Sequence, residues 1–278
     1  MKAVNDKQNE GGLRLPPSHG MWLALDVVPS TGSTNADLLT RAADPASPEG
    51  QVLVAEEQTA GRGRLGRSWS SVPGGSLTFS VLLRPAAVPA ARRGWLTLLA
   101  GVAVASAVRS AGCVDAVLKW PNDVLAGDRK LAGILAEQLP DGSAVVIGTG
   151  LNVAAAPGEL PVSATGLVPT SLRAEGATAS REDLLLGILD RLEYWYAAFR
   201  ADPDPGRSGL LDAYRELSGT LGQPVRVELP AGTVLTGVAQ GIDAEGRLLV
   251  AEGADGSVTA VSAGDVVHVR SAGDPIAG

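Results

Sequence analysis

The stretch 58–70, Gln-Thr-Ala-Gly-Arg-Gly-Arg-Leu-Gly-Arg-Ser-Trp-Ser, limits the fold more than any other part of the chain. Gly61, Gly63 and Gly66 satisfy G-x-G-x-x-G and follow an apolar run, Val52 to Glu56, that reads as a strand. In a dinucleotide-binding crossover a helix begins at such glycines, and an acidic residue follows roughly twenty positions on. Here Ser-Trp-Ser-Ser-Val-Pro-Gly-Gly comes next. Proline and paired glycines cannot propagate a helix, so the Rossmann arrangement fails on context. No P-loop signature supports a nucleoside-triphosphatase fold either.

What remains is a glycine–arginine loop. Glycine lets a backbone turn tightly and approach a ligand, and Arg62, Arg64 and Arg67 offer planar donor forks suited to carboxylate or phosphate. The loop reads as a mobile segment that becomes ordered by closing over an anion. A solvated basic loop and a nucleic-acid contact are the competing readings. The net charge of −7 argues against general nucleic-acid binding, which leans on a basic footprint. The arginines are a local cationic spot on an acidic protein, which points to a small anionic ligand.

Composition narrows the chemistry further. With 278 residues, 45% hydrophobic and 19% charged, the chain can bury a large domain and a small one. Cys113 is the single cysteine, and His19 and His268 are the only histidines. An intramolecular disulfide and a cysteine metal cluster are therefore impossible, and a Ser-His-Asp triad or histidine-rich zinc site is disfavoured. The N-terminus, MKAVNDKQNEGG, has no apolar core of a signal peptide, and no long uncharged apolar span occurs. A soluble cytoplasmic protein is expected, with no membrane partner.

Along the chain, residues 1–20 read as a flexible polar leader. Trp22 to Val28 is a strand, and Ser-Thr-Gly-Ser-Thr-Asn at 30–35 ends in three N-cap residues, Ser33, Thr34 and Asn35, before a helix over 36–43. Capping uses one of those side chains, not three, and a helix N-terminus also suits a hydrogen-bonding or anionic ligand. Further strands are expected at 76–84, 116–120, 130–138 and 145–153, with helices at 95–110, 184–199 and 210–217. Pro121-Asn122-Asp123 and Asp128-Arg129 read as turns, and 154–170 as a connection. Tyr194, Trp195 and Tyr196 read as core packing, and Cys113 as a small packed hydrophobe. From Gln223 short alternating runs recur between glycine turns, the texture of a small β-barrel or sandwich. The expected organisation is a leader over 1–20, an α+β domain over 21–220 and a β-rich domain over 221–272. The large domain is expected to carry a mixed, largely antiparallel sheet with flanking helices.

Two more clusters carry chemistry. Lys119-Trp120-Pro121-Asn122-Asp123 is followed by Lys130-Leu131-Ala132-Gly133-Ile134-Leu135. Lys130 is costly to bury in an apolar strand unless an anion awaits it, though a lysine at a strand start can also snorkel to water. Asp123 could hold a divalent cation or cap its turn. Gly148-Thr149-Gly150-Leu151-Asn152 pairs two backbone-approach glycines with an amide able to read a base edge or ribose.

GRGRLGRSW, KWPNDV, KLAGILAE and GTGLN, in that order and preceded by STGSTN, resemble the biotin–protein ligase family across about residues 22–155. The resemblance implies a class II aminoacyl-tRNA synthetase-like catalytic domain followed by a small SH3-like barrel. It also implies joining of biotin to ATP, with Mg²⁺, to give biotinyl-5′-AMP, then transfer to a lysine of a biotin carboxyl carrier domain such as that of acetyl-CoA carboxylase. By this resemblance Ser33, Thr34, Asn35, Gln58, Gly61, Arg62, Gly63, Arg64, Trp69, Lys130 and Gly133 would bind biotin. Arg64, Arg67, Trp69, Asn122 and Asn152 would serve the nucleotide. Lys130, Arg64 and Arg67 would neutralise charge, and Asp123 would help the metal or orient the acceptor lysine.

Some family members add an N-terminal helix-turn-helix domain. The residues before Trp22 show no helical periodicity, so an enzyme without a DNA role is expected. The related lipoate or octanoate ligases typically show R-R-x-x-G-G-G and a nearby histidine, neither of which stands near the loop here. A protein that holds biotin without turnover is the third possibility, against which the joint presence of Lys119, Asp123 and Lys130 speaks.

Overall fold

The computed structural model describes residues 13–112, 114–162, 166–229, 232–253, 256–262 and 264–268. Cys113, the first part of the expected leader and the end of the expected C-terminal domain lie outside the described residues. Residues 13–20 are not a free leader. Leu13 is buried, its N–H donates to Glu56 at 2.9 Å, and His19 meets Asp190 at 2.6 Å.

Seven strands form the main sheet: β1 (Ala24–Thr31), β2 (Gln51–Gln58), β3 (Ser76–Leu83), β4 (Ala116–Lys119), β5 (Asp123–Ala126), β6 (Arg129–Gln138) and β7 (Val145–Asn152). Their order is β1-β2-β3-β7-β6-β5-β4. β1 and β2 run parallel, joined through helix α1 (Thr34–Ala42), and every other neighbouring pair is antiparallel. The sheet is thus mixed and largely antiparallel, as expected. β5 is the element that sequence reading missed. Asp123 is not a turn residue but opens a strand of four residues directly after the Pro121-Asn122 turn.

Alternation along the strands assigns the two faces. Leu77, Phe79, Val81, Ile147 and Leu151 join the large core beneath α2 (Gly94–Ser110) and α3 (Arg181–Ala201). Leu53, Leu82 and Val146 point the other way and meet Leu38 and Ala42 of α1. Burying each such leucine or valine contributes about 1.5–3 kcal/mol. At the end of α3, Tyr196 is buried and Trp195 packs against the core, but Tyr194 points outward with 63% exposure.

After α4 (Leu210–Leu217) come β8 (Pro224–Glu228), β9 (Val234–Ile242), β10 (Leu248–Glu252), β11 (Ser257–Val261) and β12 (Asp265–His268). They form a second, antiparallel sheet in the order β11-β10-β9-β8-β12. Among the described residues no pairing between β11 and β12 closes it into a barrel. The turn between β9 and β10 is seated on the main domain: Trp95 donates to the Asp243 carbonyl at 3.0 Å and Trp120 to that of Gly246 at 3.2 Å. Gly94 has to be bare there, because a Cβ would lie 2.6 Å from the Glu245 carbonyl oxygen. Among the described residues no helix is long and apolar enough to cross a membrane.

Candidate active site

The face of the main sheet that carries α1 is polar or bare toward its other end. Antiparallel register aligns Thr78 of β3, Gly150 of β7, Gly133 of β6 and Asp123 of β5 in one row. The neighbouring row is Ser80, Gly148 and Leu135, and Ser76 pairs with Asn152. Over these rows lies a cavity of about 590 Å³, within the size range of small-molecule sites. The residues expected from the sequence to form a site all line it except Gly61.

Gly61 acts at the base of the loop instead. Its carbonyl accepts from Trp69 N–H at 2.9 Å, and a Cβ there would stand 2.4 Å from the Trp69 carbonyl oxygen. The two legs of the loop therefore close only around a glycine. A second rung, Gly63 N–H to the Arg67 carbonyl at 2.7 Å, leaves Arg64–Gly66 as a single tight turn. Leu65 at its tip is exposed with φ 56°, a left-handed conformation uncommon for a bulky residue.

Closing the loop lays the Trp69 indole onto the sheet. A Cβ on Gly150 would lie 2.2 Å from that ring, and one on Gly133 3.1 Å from it. The facing glycines of β6 and β7 are thus the floor on which the indole rests. Lys130 Nζ stands 5.8 Å from the ring centroid and 2.6 Å from Asp123 Oδ1. Arg64 reaches Asn122 Oδ1 at 3.3 Å, and Asn122 is itself oriented by donating to the Ile134 carbonyl at 2.9 Å.

At the other end, Ser33 caps α1 by accepting from Ala36 N–H. Thr34 gives both its N–H (2.8 Å) and its hydroxyl (3.0 Å) to Gln58 Oε1. Asn35 donates to the Leu135 carbonyl at 3.1 Å and to Glu137 Oε2 at 2.8 Å. Ser80 Oγ lies 2.7 Å from Thr34 Oγ1 and 2.6 Å from Asn35 Oδ1, so its one proton serves one of them. One capping side chain does suffice for the helix, and the other two belong to a buried polar network.

Among the described residues, Trp69 Nε1, Thr78 Oγ1 and Asn152 Oδ1 are buried at the cavity without a hydrogen-bond partner, while the buried Asp123 Oδ1 is met by its ion pair with Lys130. The Asn152 amide is nevertheless fixed, because its Nδ2 donates to the Thr170 carbonyl at 2.9 Å. Buried polar groups are normally paired, so an atom held in place yet unpaired marks where a ligand's polar group belongs. The segment expected as a plain connection supplies this anchor: Thr170 N–H donates to Lys130 O and Lys130 N–H to Val168 O.

Ser80, Thr78, Lys119 and Glu137 are parts of this constellation absent from the expected site. Ser76, Thr78 and Ser80 recur every second residue in a strand whose residues are all buried. Polar side chains with that period in an apolar strand were the available signal. For a metal, the donor set is thin. Among the described residues no group of three His, Cys, Asp or Glu side chains could hold one, and the Asp123 carboxylate is paired with Lys130.

A sequence profile of the biotin/lipoate A/B protein ligase family matches residues 27–152, and one of the biotin protein ligase C-terminal domain matches residues 220–269. The chain is 46% identical to biotin–[acetyl-CoA-carboxylase] ligase of Mycobacterium tuberculosis, over 90% of each chain. With the protein of the same name from Paracoccus denitrificans it shares 35% identity, over 79% of this chain and 91% of that one. Biotin protein ligase from Aquifex aeolicus, solved in complex with biotin and ATP, superposes with a TM-score of 0.72 at 28% identity, covering 89% of this chain and 99% of that one. Identity of 46% sustained over nine-tenths of both chains, on a fold shared over 89% of this chain, places this chain in the biotin protein ligase family.

Proposed function

We infer that this cavity is where the chain carries out the reaction its relatives are named for: it is an ATP-dependent biotin–[acetyl-CoA-carboxylase] ligase. In the first step the biotin carboxylate attacks the α-phosphorus of ATP, giving biotinyl-5′-AMP and pyrophosphate. In the second, a lysine amine of a biotin carboxyl carrier domain attacks the acyl carbon, forming an amide and releasing AMP.

The observation that carries the assignment of the site is the convergence of Lys130, Arg64, Arg67 and the three orphaned polar atoms on one cavity floored by bare glycines. A carboxylate and a triphosphate repel, so their approach requires fixed cations, and catalysis is mainly positioning and electrostatic stabilisation. In this reading the network of Ser33, Thr34, Asn35 and Gln58 takes the ureido end of biotin, with Arg62 and Gly63 of the loop beside it. Lys130 meets the carboxylate and the α-phosphate, and Gly133 lets the ligand lie against β6. Arg64 and Arg67 face the phosphates, Asn152 and Asn122 the nucleoside, and Trp69 covers the mixed anhydride, which has to be kept from water. Asp123 orients the incoming lysine. A magnesium ion would be held chiefly by the phosphates, as this ion commonly is, because the described residues supply no cage of carboxylates here.

The open five-stranded sheet would correspond to the SH3-like barrel of the family and the larger domain to its synthetase-like fold, with the division near residue 220. The setting we propose is the cytoplasm, where the carrier domains of carboxylases are made. Biotin-dependent ATP–pyrophosphate exchange tests the function, with lipoate and octanoate as controls. Exchange that follows lipoate or octanoate in place of biotin, or no exchange at all, overturns it.

A further inference from the structure

β6 passes beneath the cavity, which Lys130 and Gly133 line, and toward its other end carries Glu137 beside the arginine loop. Glu137 is half-buried and receives two donors from different parts of the chain. Its Oε2 accepts from Asn35 Nδ2 at 2.8 Å, and Arg62 of the loop approaches its carboxylate at 3.3 Å. The first contact, together with the Leu135 carbonyl, decides which way the Asn35 amide faces. With Nδ2 committed to Glu137 and to the Leu135 carbonyl, Oδ1 has to point at Ser80. It also stands 2.3 Å from where a Cβ on Gly148 would be, so that glycine is the complement of this one amide orientation. From Ser80 the chain of contacts continues to Thr34 and on to Gln58 Oε1. A carboxylate only accepts, so the anionic end fixes the first link, Asn35 Nδ2 to Glu137, while the hydroxyl protons of Ser80 and Thr34 are shared among the three contacts beyond it.

We propose that Glu137 is a positioning residue for biotin: it anchors the Asn35 amide of the network that reads the ureido group and, through Arg62, ties closure of the arginine loop to that network. The inference rests on the biotin-ligase reading of the site. Glu137 lies at the end of β6 away from Lys130. Its removal leaves the Leu135 carbonyl alone to hold the Asn35 amide and releases Arg62 at once, so both consequences fall on the biotin end of the site. An exposed ion pair such as Arg62–Glu137 is weak by itself, which leaves the Asn35 hydrogen bond as the larger contribution to affinity and the arginine contact as the link to the loop.

The test is steady-state ligation by Glu137→Ala and Glu137→Gln, with biotin and ATP varied separately, alongside trypsin cleavage at the loop. Glu137→Ala is expected to raise KM for biotin about tenfold or more, the effect of losing a hydrogen bond to a charged group. The KM for ATP and kcat at saturating biotin should stay within about twofold, since an interaction lost equally from ground and transition state leaves kcat alone. Glu137→Gln keeps an acceptor for Asn35 but not the charge for Arg62. Near-normal biotin KM with loss of biotin's protection of the loop is the result expected of it. A biotin KM unchanged in Glu137→Ala overturns the proposal, as does a parallel rise in both KM values with a lowered Tm, which marks a structural role. If Glu137→Ala does not fold, Glu137→Gln decides by itself: loop protection equal to that of the parent chain overturns the coupling. Absence of biotin-dependent exchange in the parent chain overturns the ligase reading and this inference with it. Normal exchange there with unaffected variants overturns the inference alone.

Discussion

Lys130 Nζ and Asp123 Oδ1 lie 2.6 Å apart with both side chains largely buried, and Lys119 stands opposite Asp123 across the β4–β5 pair. Arg64 and Arg67 line the same cavity. Fixed cations there are what a carboxylate and a triphosphate need when brought together, and in a half-dry site they act with little screening. Lys130→Ala is expected to slow adenylate formation by about 10²-fold or more, the scale for losing a preorganised charge donor. Rapid-quench measurement of single-turnover adenylation checks this, and an unchanged rate removes Lys130 from the mechanism.

The floor under Trp69 makes a steric prediction. In Gly150→Ala the new methyl would stand 2.2 Å from the indole, and the ring has to leave its bed. Overpacking of this kind costs about 1–3 kcal/mol. Biotinyl-adenylate should bind roughly 10- to 100-fold more weakly if the displaced ring is a wall of its site. Calorimetric titration with the adenylate, or with a non-hydrolysable analogue, measures the change. Wild-type affinity in the variant would show that Trp69 does not contact the ligand.

The loop presents Arg62, Arg64 and Arg67 to trypsin on a segment tied down by two backbone rungs and the Trp69 contact. Biotin is expected to slow cleavage there. At ten times its Kd, mass action gives about a tenfold reduction when only the open form is cut. Equal cleavage rates with and without biotin would sink the idea of a ligand-ordered lid.

Acid sensitivity should trace in part to Glu175. Burial pushes its carboxyl up, but the hydrogen bonds from Arg129 and the Thr170 hydroxyl, with the Arg129 charge, hold it below the ordinary glutamate range. A carboxyl depressed in the folded state contributes stability above its unfolded pKa, and that contribution is lost as pH falls through the folded value. Glu175→Gln should therefore be less stable than the parent at pH 7, with the gap narrowing below about pH 4.3, the ordinary glutamate value. Thermal melts across pH 3–7 check it, and a constant gap contradicts the assignment.

The two sheets share one buried cluster through Trp95 and the residues around it, so unfolding should be a single transition. Trp120→Phe leaves the Gly246 carbonyl without its indole donor, at a cost of about 1–3 kcal/mol. Urea denaturation reads both the midpoint shift and the cooperativity. Two separated transitions would show that the C-terminal sheet folds apart from the main domain.

The chemistry-bearing residue types were legible from local order because they cluster in short runs that loops and strand ends keep together. Gly61 to Trp69, Asn122 to Gly133 and Gly148 to Asn152 each announce a backbone that must come close to something, beside cations or amides. The polar face of β3 was missed although Ser76, Thr78 and Ser80 alternate, because the same strand is buried on both sides and reads as continuously apolar. β5 was missed because Pro121-Asn122-Asp123 reads as a turn, which hides the strand that Asp123 opens. The linear order of amino acids determined which side chains were available and which segments would be strands. Which of them meet was decided by antiparallel register, since a pairing of β6 with β7 sets Gly133 against Gly150 and places Glu137 within reach of Asn35 more than a hundred residues away. That pairing depends on burial of the opposite face over α2 and α3, a cooperative property of the whole sheet that no single stretch contains.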